Sequence, residues 1–331
     1  MRAIAITESG SAEILKIRDL PIPEIHSPTQ VLVRLKAASI NPLDIKIRQN
    51  KNAFPVQPTA ILGCDGAGII EATGSDVTDY QVGNAVFFCQ PGLNGRQGTY
   101  AEYVVVDQEV LAHKPETLSF TQAAAIPLVL ITAWEALFDR VNTKQDSQIL
   151  IQAGAGGVGH IAIQLAKLAG ARVATTVSTE QKLAFVKQLG VEKAIRYQQQ
   201  NVVEEIMHWS NQQGVDLAFD TIGDEVMQQC FSSVRCYGDV VTILTPTSET
   251  DWSEARLKNV RFTQELMLTA FFLNDTALMK HQSEILKKCT PDFNNGILTT
   301  RVARIFPLDD VASAHQHLQE NAPIGKVVLE I

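Results

Sequence analysis

The sequence predicts an α/β protein in which a doubly wound parallel sheet is joined to a β-rich domain. Three observations predict this. Strand and helix signals alternate between Ser147 and Leu244, the pattern of a parallel sheet with helical crossovers. Short β-prone runs broken by Gly, Pro, Asn and Asp fill the stretch up to Lys114, as in a compact β-barrel-like domain. A Gly-x-Gly-x-x-Gly run, Gly154, Gly156 and Gly159, lies between a strand and a helix of the alternating part.

Taken in order, "MRAIAIT", "QVLVRLKAASI", "GAGIIEATG", "NAVFFC" and "TYAEYVVVD" are the strands of the first part. Near Ser119, a plausible helix cap, the pattern turns helical through "SFTQAAAIPLVLITAWEALFDRV". Strand "SQILIQA" then leads into helix "GVGHIAIQLAKLAGA", and "RVATTV" into "TEQKLAFVKQLG". "KAIRY" precedes helix "NVVEEIMHWSNQ", "VDLAFDTIG" precedes "DEVMQQCFSSV", and "GDVVTIL" is a further strand. "RFTQELMLTAFF" reads as an apolar edge strand in need of cover. From Asn274 a helix, a strand, a helix and the last strand "KVVLEI" form a tail that can return to the first domain. The expected division is 1–120 with 274–331 for the β-rich domain and 121–273 for the sheet domain.

Two domains are also the expectation for 331 residues, and 45% hydrophobic content is enough to build both cores. The net charge of -8 argues against a nucleic-acid partner. "MRAIAITESGS" has no signal-peptide core, and Pro127, Thr132 and Glu135 interrupt the longest apolar stretch, so no membrane span is expected. Five cysteines with no repeated spacing read as free thiols in a reducing, cytoplasmic setting.

The glycine run carries the chemistry. It follows a strand and opens a helix, the context in which backbone amides and a helix N-terminus receive a pyrophosphate. An NAD site usually ends its second strand with an acid that accepts from the ribose hydroxyls. Here Val177 takes that place, followed by Ser178 and Thr179, with Lys182 in the first turn of the next helix. A cation there is unfavourable by about 0.3–1 kcal/mol unless an anion binds beside it. NADP(H) is therefore the expected cofactor; the alternative is a solvated Lys182 offset by Glu180.

Read together, "AGAGGVG", "TVSTEQK", "FDTIG", "AASINPLDIKIRQ", "GCDGAG" and the closing "GKVVLEI" resemble the zinc-independent branch of the medium-chain dehydrogenases/reductases, the quinone oxidoreductase family. The resemblance covers essentially the whole chain. It implies a Rossmann NADP-binding domain beside a GroES-like catalytic domain, and a homodimer. It implies that Thr132 touches the cofactor and that Gly154, Ala155, Gly156, Gly157 and Val158 hold the pyrophosphate. Ser178, Lys182 and Tyr197 would surround the 2'-phosphate. Leu244 and Phe271 would lie by the nicotinamide, and Lys326 near the closing strand. Zinc-dependent relatives carry Cys and a His-Glu pair, where this chain has Ser39-Ile40-Asn41 and Cys64-Asp65, and of their four-cysteine lobe only Cys89 remains. Zinc sites need three or four ligands, so no metal is expected; a rearranged site through Cys64 and Asp65 is the alternative.

The candidate catalytic residues are Asn41, Asp44 and Asp65. Asn41 and Asp44 are expected near the cofactor, where they could orient a carbonyl or a water. Asn41 is equally a good N-cap, Pro42 suits the first helical position, and Asp44 suits the positive helix end. His160 is expected to be a packing or supporting residue, and His315 and His317 surface groups. The phenols of Tyr100 and Tyr103 could donate a proton, though their spacing does not show it. No Tyr is followed four residues later by Lys, so that proton relay is absent. The expected activity is hydride transfer from NADPH to a quinone or enone-like acceptor, with an NADPH-binding role of little catalysis as the alternative. "RQNKNAFPVQPTA" is a pocket-lining loop whose residues carry no readable code for the acceptor.

Overall fold

The computed structural model describes residues 1–49 and 60–331; most of the "RQNKNAFPVQPTA" loop lies outside them. The described residues form two compact units, Met1–Leu128 with Leu268–Ile331, and Val129–Met267. These divisions fall eight residues after 120/121 and six before 273/274. Among the described residues, no helix is long and apolar enough to cross a membrane.

The unit Val129–Met267 is built on six parallel strands: Gln148–Ile151, Arg172–Val177, Lys193–Arg196, Val215–Asp220, Val234–Thr242 and Arg261–Gln264. Numbered in chain order, they lie side by side as 3-2-1-4-5-6. The order reverses between the first and fourth strands, the place where such sheets bind ligands beyond the strands' carboxyl ends. Leu150, Ala174, Ile195, Ala218 and Val240 are fully buried, as expected when helices cover both faces of a parallel sheet.

Two local readings change. The helical run after Ser119 is two helices, Phe120–Ala124 and Pro127–Trp134, followed by a π-helical turn over Glu135–Asp139. Ser119 caps the first in a reciprocal box: its hydroxyl accepts from the Gln122 amide, and the Gln122 side chain accepts from the Ser119 amide. Pro127 has no amide to continue that helix but suits the first position of the next. The expected edge strand "RFTQELMLTAFF" ends at Gln264, and Thr269–Phe272 is a helical turn in the other unit. There Leu268, Ala270 and Phe271 are buried, so the apolar residues are covered by helical packing rather than by a neighbouring strand.

In the β-rich unit the long strand Gln30–Ile40 pairs with Asp65–Thr73, Tyr103–Asp107 and the closing strand Lys326–Glu330. The tail returns through helix Thr276–Asn294, strand Val302–Pro307 and helix Val311–Asn321. Register decides what meets what: Val327 lies opposite Ile40, and Asp65 opposite both Ser39 and Cys89. Lys326, Asn41 and Asp65, far apart in sequence, are thereby brought to one point.

Candidate active site

The glycine loop is shaped by contacts that only glycine allows. A Cβ on Gly154 would lie 2.1 Å from Thr175 Oγ1, and one on Gly159 would lie 2.4 Å from the Ala153 carbonyl oxygen. Both glycines therefore let the helix Gly157–Leu168 start hard against the sheet. A Cβ on Gly156 meets only the Ala153 carbonyl, at 3.2 Å. Its outer side is open, which suits the close approach of a pyrophosphate to the backbone. Thr176 pins the turn: its hydroxyl accepts from the Ala153 amide at 3.0 Å and donates to Gln152 Oε1 at 2.6 Å. His160, buried in this helix, bonds through Nδ1 to the Gly156 carbonyl at 2.8 Å.

Ser178 follows the second strand directly, and Thr179 caps the helix Glu180–Gln188 by accepting from the Lys182 amide at 3.2 Å. Ser178 and Lys182 are half-buried and Tyr197 is exposed. The Tyr197 amide donates to the Val177 carbonyl at 3.2 Å. Glu180 does not pair with Lys182; it accepts from Arg196 at 2.9 Å. Lys182 makes no ion pair among the described residues, and partial burial lowers its pKa. Thr132 and Leu244 belong to this same unit, with Leu244 just beyond the carboxyl end of the fifth strand.

The β-rich unit holds a buried polar network. Asp65 Oδ2 accepts from Ser39 Oγ and Asn41 Nδ2, both at 2.8 Å, and Oδ1 accepts from the Leu128 amide at 2.7 Å. Lys326 Nζ lies 3.6 Å from Asp65 Oδ2 and donates to the Ile40 carbonyl at 3.0 Å and to Asn41 Oδ1. Burial lowers the Lys326 pKa, opposed by Asp65 and Asp44. The Lys326 ammonium thus faces three oxygens of its own unit.

Asp44 receives donors only. It accepts from the Asn41 amide at 2.8 Å, from the Cys64 thiol at 3.2 Å and from the Tyr100 hydroxyl. Behind Tyr100 stand His315, with Nε2 at 3.2 Å from the phenol, and Arg48, with Nη1 at 3.4 Å from His315 Nδ1. Arginine can only donate. His315 Nδ1 must therefore accept, its Nε2–H donates to Tyr100, and Tyr100 donates to Asp44. Burial, with Arg48 beside it, pushes the His315 pKa down to about 3, so the ring is neutral as this chain requires.

Several expectations change here. His315 is fully buried, not a surface group: with Val311 and Ala314 it forms the inward face of its helix, an i, i+3, i+4 spacing. Asn41, Asp44 and Asp65 are 1%, 1% and 0% exposed. Both carboxyl groups are engaged by protein donors. Asp44 does act in capping, from the third helical position back to the Asn41 amide. The Phe271 ring is buried in the β-rich unit, and its carbonyl accepts from Asn94 at 2.9 Å. Tyr100, His315 and Arg48 had no signal as a group, because 215 and 267 residues separate His315 from its two partners.

Asp44 carries a pH prediction. Burial pushes its carboxyl up to about 6, against the pull of the Asn41 amide and the Cys64 thiol. Between its unfolded value near 4 and about 6, the folded protein holds a proton that the unfolded chain releases. Stability from this group therefore falls as pH rises through that window, by roughly 3 kcal/mol at 1.36 kcal/mol per pKa unit. The stability of wild type minus that of Asp44→Asn, followed by urea unfolding from pH 4 to 7, is expected to fall. A flat difference refutes the reading.

The chain matches the family model described as the alcohol dehydrogenase GroES-like domain over residues 27–116, and that described as zinc-binding dehydrogenase over 157–283. It is 32% identical over 324 residues to a zinc-type alcohol dehydrogenase-like protein of Staphylococcus epidermidis, covering 95% of this chain and 93% of that one. It is also 32% identical over 339 residues to the chloroplastic NADPH-dependent alkenal/one oxidoreductase of Arabidopsis thaliana, covering 99% and 79%. Among solved structures, an alcohol dehydrogenase superfamily protein from Novosphingobium aromaticivorans aligns over the full length of both chains with 34% identity and a TM-score of 0.92. The quinone oxidoreductase of Coxiella burnetii aligns over 100% and 99% with 32% identity and a TM-score of 0.85. Fold and relatives together define an oxidoreductase enzyme with a GroES-like and a Rossmann-like part. The chain belongs to the medium-chain dehydrogenase/reductase family.

Proposed function

We propose that the protein is an NADPH-dependent reductase that passes hydride to a quinone or an activated alkene or carbonyl acceptor without zinc. The observation that carries the reading is the half-buried Lys182, which makes no ion pair among the described residues, in the helix that follows Ser178 and a second strand ending in Val177 rather than an acid. The relatives named for NADPH-dependent alkenal/one and quinone reduction support the acceptor class.

When bound, the nicotinamide supplies the hydride. The glycine loop would hold its pyrophosphate, Thr132 and Leu244 would border the nicotinamide, and Ser178, Lys182 and Tyr197 would hold the 2'-phosphate. Asn41, Asp44, Asp65 and Lys326 act as positioning residues, fixing the start of helix Pro42–Gln49 and the Leu128 amide at the start of Pro127–Trp134. Water delivers the proton to the reduced acceptor.

The residues at the zinc-ligand positions do not fit that metal. Zinc wants three or four ligand atoms with the thiol deprotonated. Burial pushes the Cys64 thiol well above its ordinary range, and its S–H is given to Asp44. The Asp65 oxygens are taken by Ser39, Asn41 and Leu128, and the Lys326 ammonium already stands beside them as the local cation. Five free cysteines support a reducing compartment. Among the described residues, the last strand of the parallel sheet, Arg261–Gln264, pairs on one side only, which supports a homodimer formed along that edge.

The test is NADPH oxidation followed by absorbance against a panel of quinones, alkenals, enones and aldehydes. Turnover on at least one electrophilic acceptor is expected, and no turnover on any of them overturns the reading. Lys182→Ala is expected to raise the KM for NADPH by about ten- to hundredfold and that for NADH little, since a charge-assisted contact is worth about 1.5–3 kcal/mol. Equal changes for both cofactors remove Lys182 from the phosphate site.

A further inference from the structure

We propose that Glu180 and Arg196 form an exchangeable ion pair that sets how strongly this enzyme prefers a 2'-phosphorylated cofactor. Arg196 is the cation that receives the phosphate, and Glu180 is the carboxylate that competes for it. The proposal rests on the reading of Ser178 and Lys182 as the 2'-phosphate site.

The register places the pair. Arg196 ends the third strand directly opposite Val177, the last residue of the second. Ser178 comes next in the chain, and Glu180 is the first residue of the helix that carries Lys182. Arg196 Nη1 donates to Glu180 Oε2 at 2.9 Å, so the guanidinium reaches the helix start that flanks the phosphate position. Glu180 is held by a donor of the kind that phosphate uses, because arginine presents its N–H groups to carboxylates and phosphates alike.

The pair is built to exchange. The two side chains are 35% and 72% exposed, and ion pairs in water are weak because solvent screens them and two long side chains must be held still. A 2'-phosphate beside Ser178 and Lys182 repels the Glu180 carboxylate and offers Arg196 a more highly charged partner. With an unphosphorylated ribose the same carboxylate can stay and accept from a hydroxyl. Glu180 thus supplies, three residues later, the acid that Val177 does not. The two residues pull the preference in opposite directions, and Lys182 adds to the phosphate side.

The experiment is calorimetric binding of adenosine 2',5'-bisphosphate and of 5'-AMP to the full-length protein, which reads the subsite without turnover. Glu180→Gln is expected to raise the bisphosphate-to-AMP affinity ratio about tenfold, and Arg196→Gln to lower it about ten- to hundredfold. The double variant is expected to lose the gain of Glu180→Gln, since the competitor matters only while Arg196 is present. An unchanged ratio in Arg196→Gln, with a lowered ratio in Lys182→Ala, overturns this proposal and leaves the NADPH reading standing. A wild-type protein that does not distinguish the two ligands overturns both. Unchanged thermal midpoints in the variants separate these outcomes from loss of folding.

Discussion

Asp65→Ala is expected to destabilise the protein by about 3–5 kcal/mol, the usual cost of removing one partner of a buried charged pair. The residue is fully buried, and its carboxylate collects the Ser39 hydroxyl, the Asn41 amide group, the Leu128 backbone amide and the Lys326 ammonium. Removing it leaves a buried cation beside Asn41 and three donors without their acceptor. Each orphaned donor costs about 1–3 kcal/mol unless water or a rearrangement satisfies it. Urea unfolding is the measurement. In Asp65→Ala/Lys326→Met the cation is gone as well, so the double variant is expected to be more stable than Asp65→Ala. A cost below about 1 kcal/mol for Asp65→Ala, with no coupling to Lys326, would falsify the network as the organiser of this unit.

The second large effect concerns the glycine loop, where two glycines are expected to fail differently. Gly159→Ala puts a methyl 2.4 Å from the Ala153 carbonyl oxygen and 2.8 Å from Gly154 Cα. Both neighbours are backbone atoms, so the helix start must move. Such overpacking typically costs about 1–3 kcal/mol of stability. It also carries the amides away from the phosphate; losing two charge-assisted contacts corresponds to about a hundredfold or more in affinity. Gly156→Ala meets only one carbonyl, at 3.2 Å, and fills the open side of the loop instead. It is expected to weaken NADPH binding with little change in stability. Fluorescence titration with NADPH and thermal unfolding separate the two cases. Equal loss of stability in both variants would show that the loop has no ligand side distinct from its packing side.

The opening strand-helix alternation was legible because each signal in it is local. A half-buried or buried strand, an amphipathic helix and a glycine turn each leave a pattern within about ten residues. The reading failed where neighbours further along the chain decide. "SFTQAAAIPLVLITAWEALFDRV" is helical throughout by composition, yet Pro127 divides it. "RFTQELMLTAFF" is apolar and β-prone, yet its second half is a helical turn in another unit. His315 looked like a polar helix residue because its partners, Tyr100 and Arg48, are 215 and 267 positions away.

The segment "GCDGAG" shows both kinds of information. Its glycines announce tight backbone, and Gly63 indeed has φ +99° with the Tyr100 ring 2.4 Å from where a Cβ would stand. Nothing in the six letters says whether Cys64 is a ligand, a nucleophile or a bystander. The fold answers by burying the thiol against Asp44 and by placing Lys326 beside Asp65.

By itself, then, the sequence determined the two-part architecture, the glycine turn between strand and helix and the lysine in the first turn of the next helix, since periodicity, glycine sterics and the helix N-terminus act between near neighbours. Tertiary structure alone decided which polar groups are saturated and which remain available. Hydrogen bonds are short and directional, and strand register brought Asn41 and Lys326 together across 285 residues while pairing Glu180 with Arg196 and leaving Lys182 without an ion pair among the described residues.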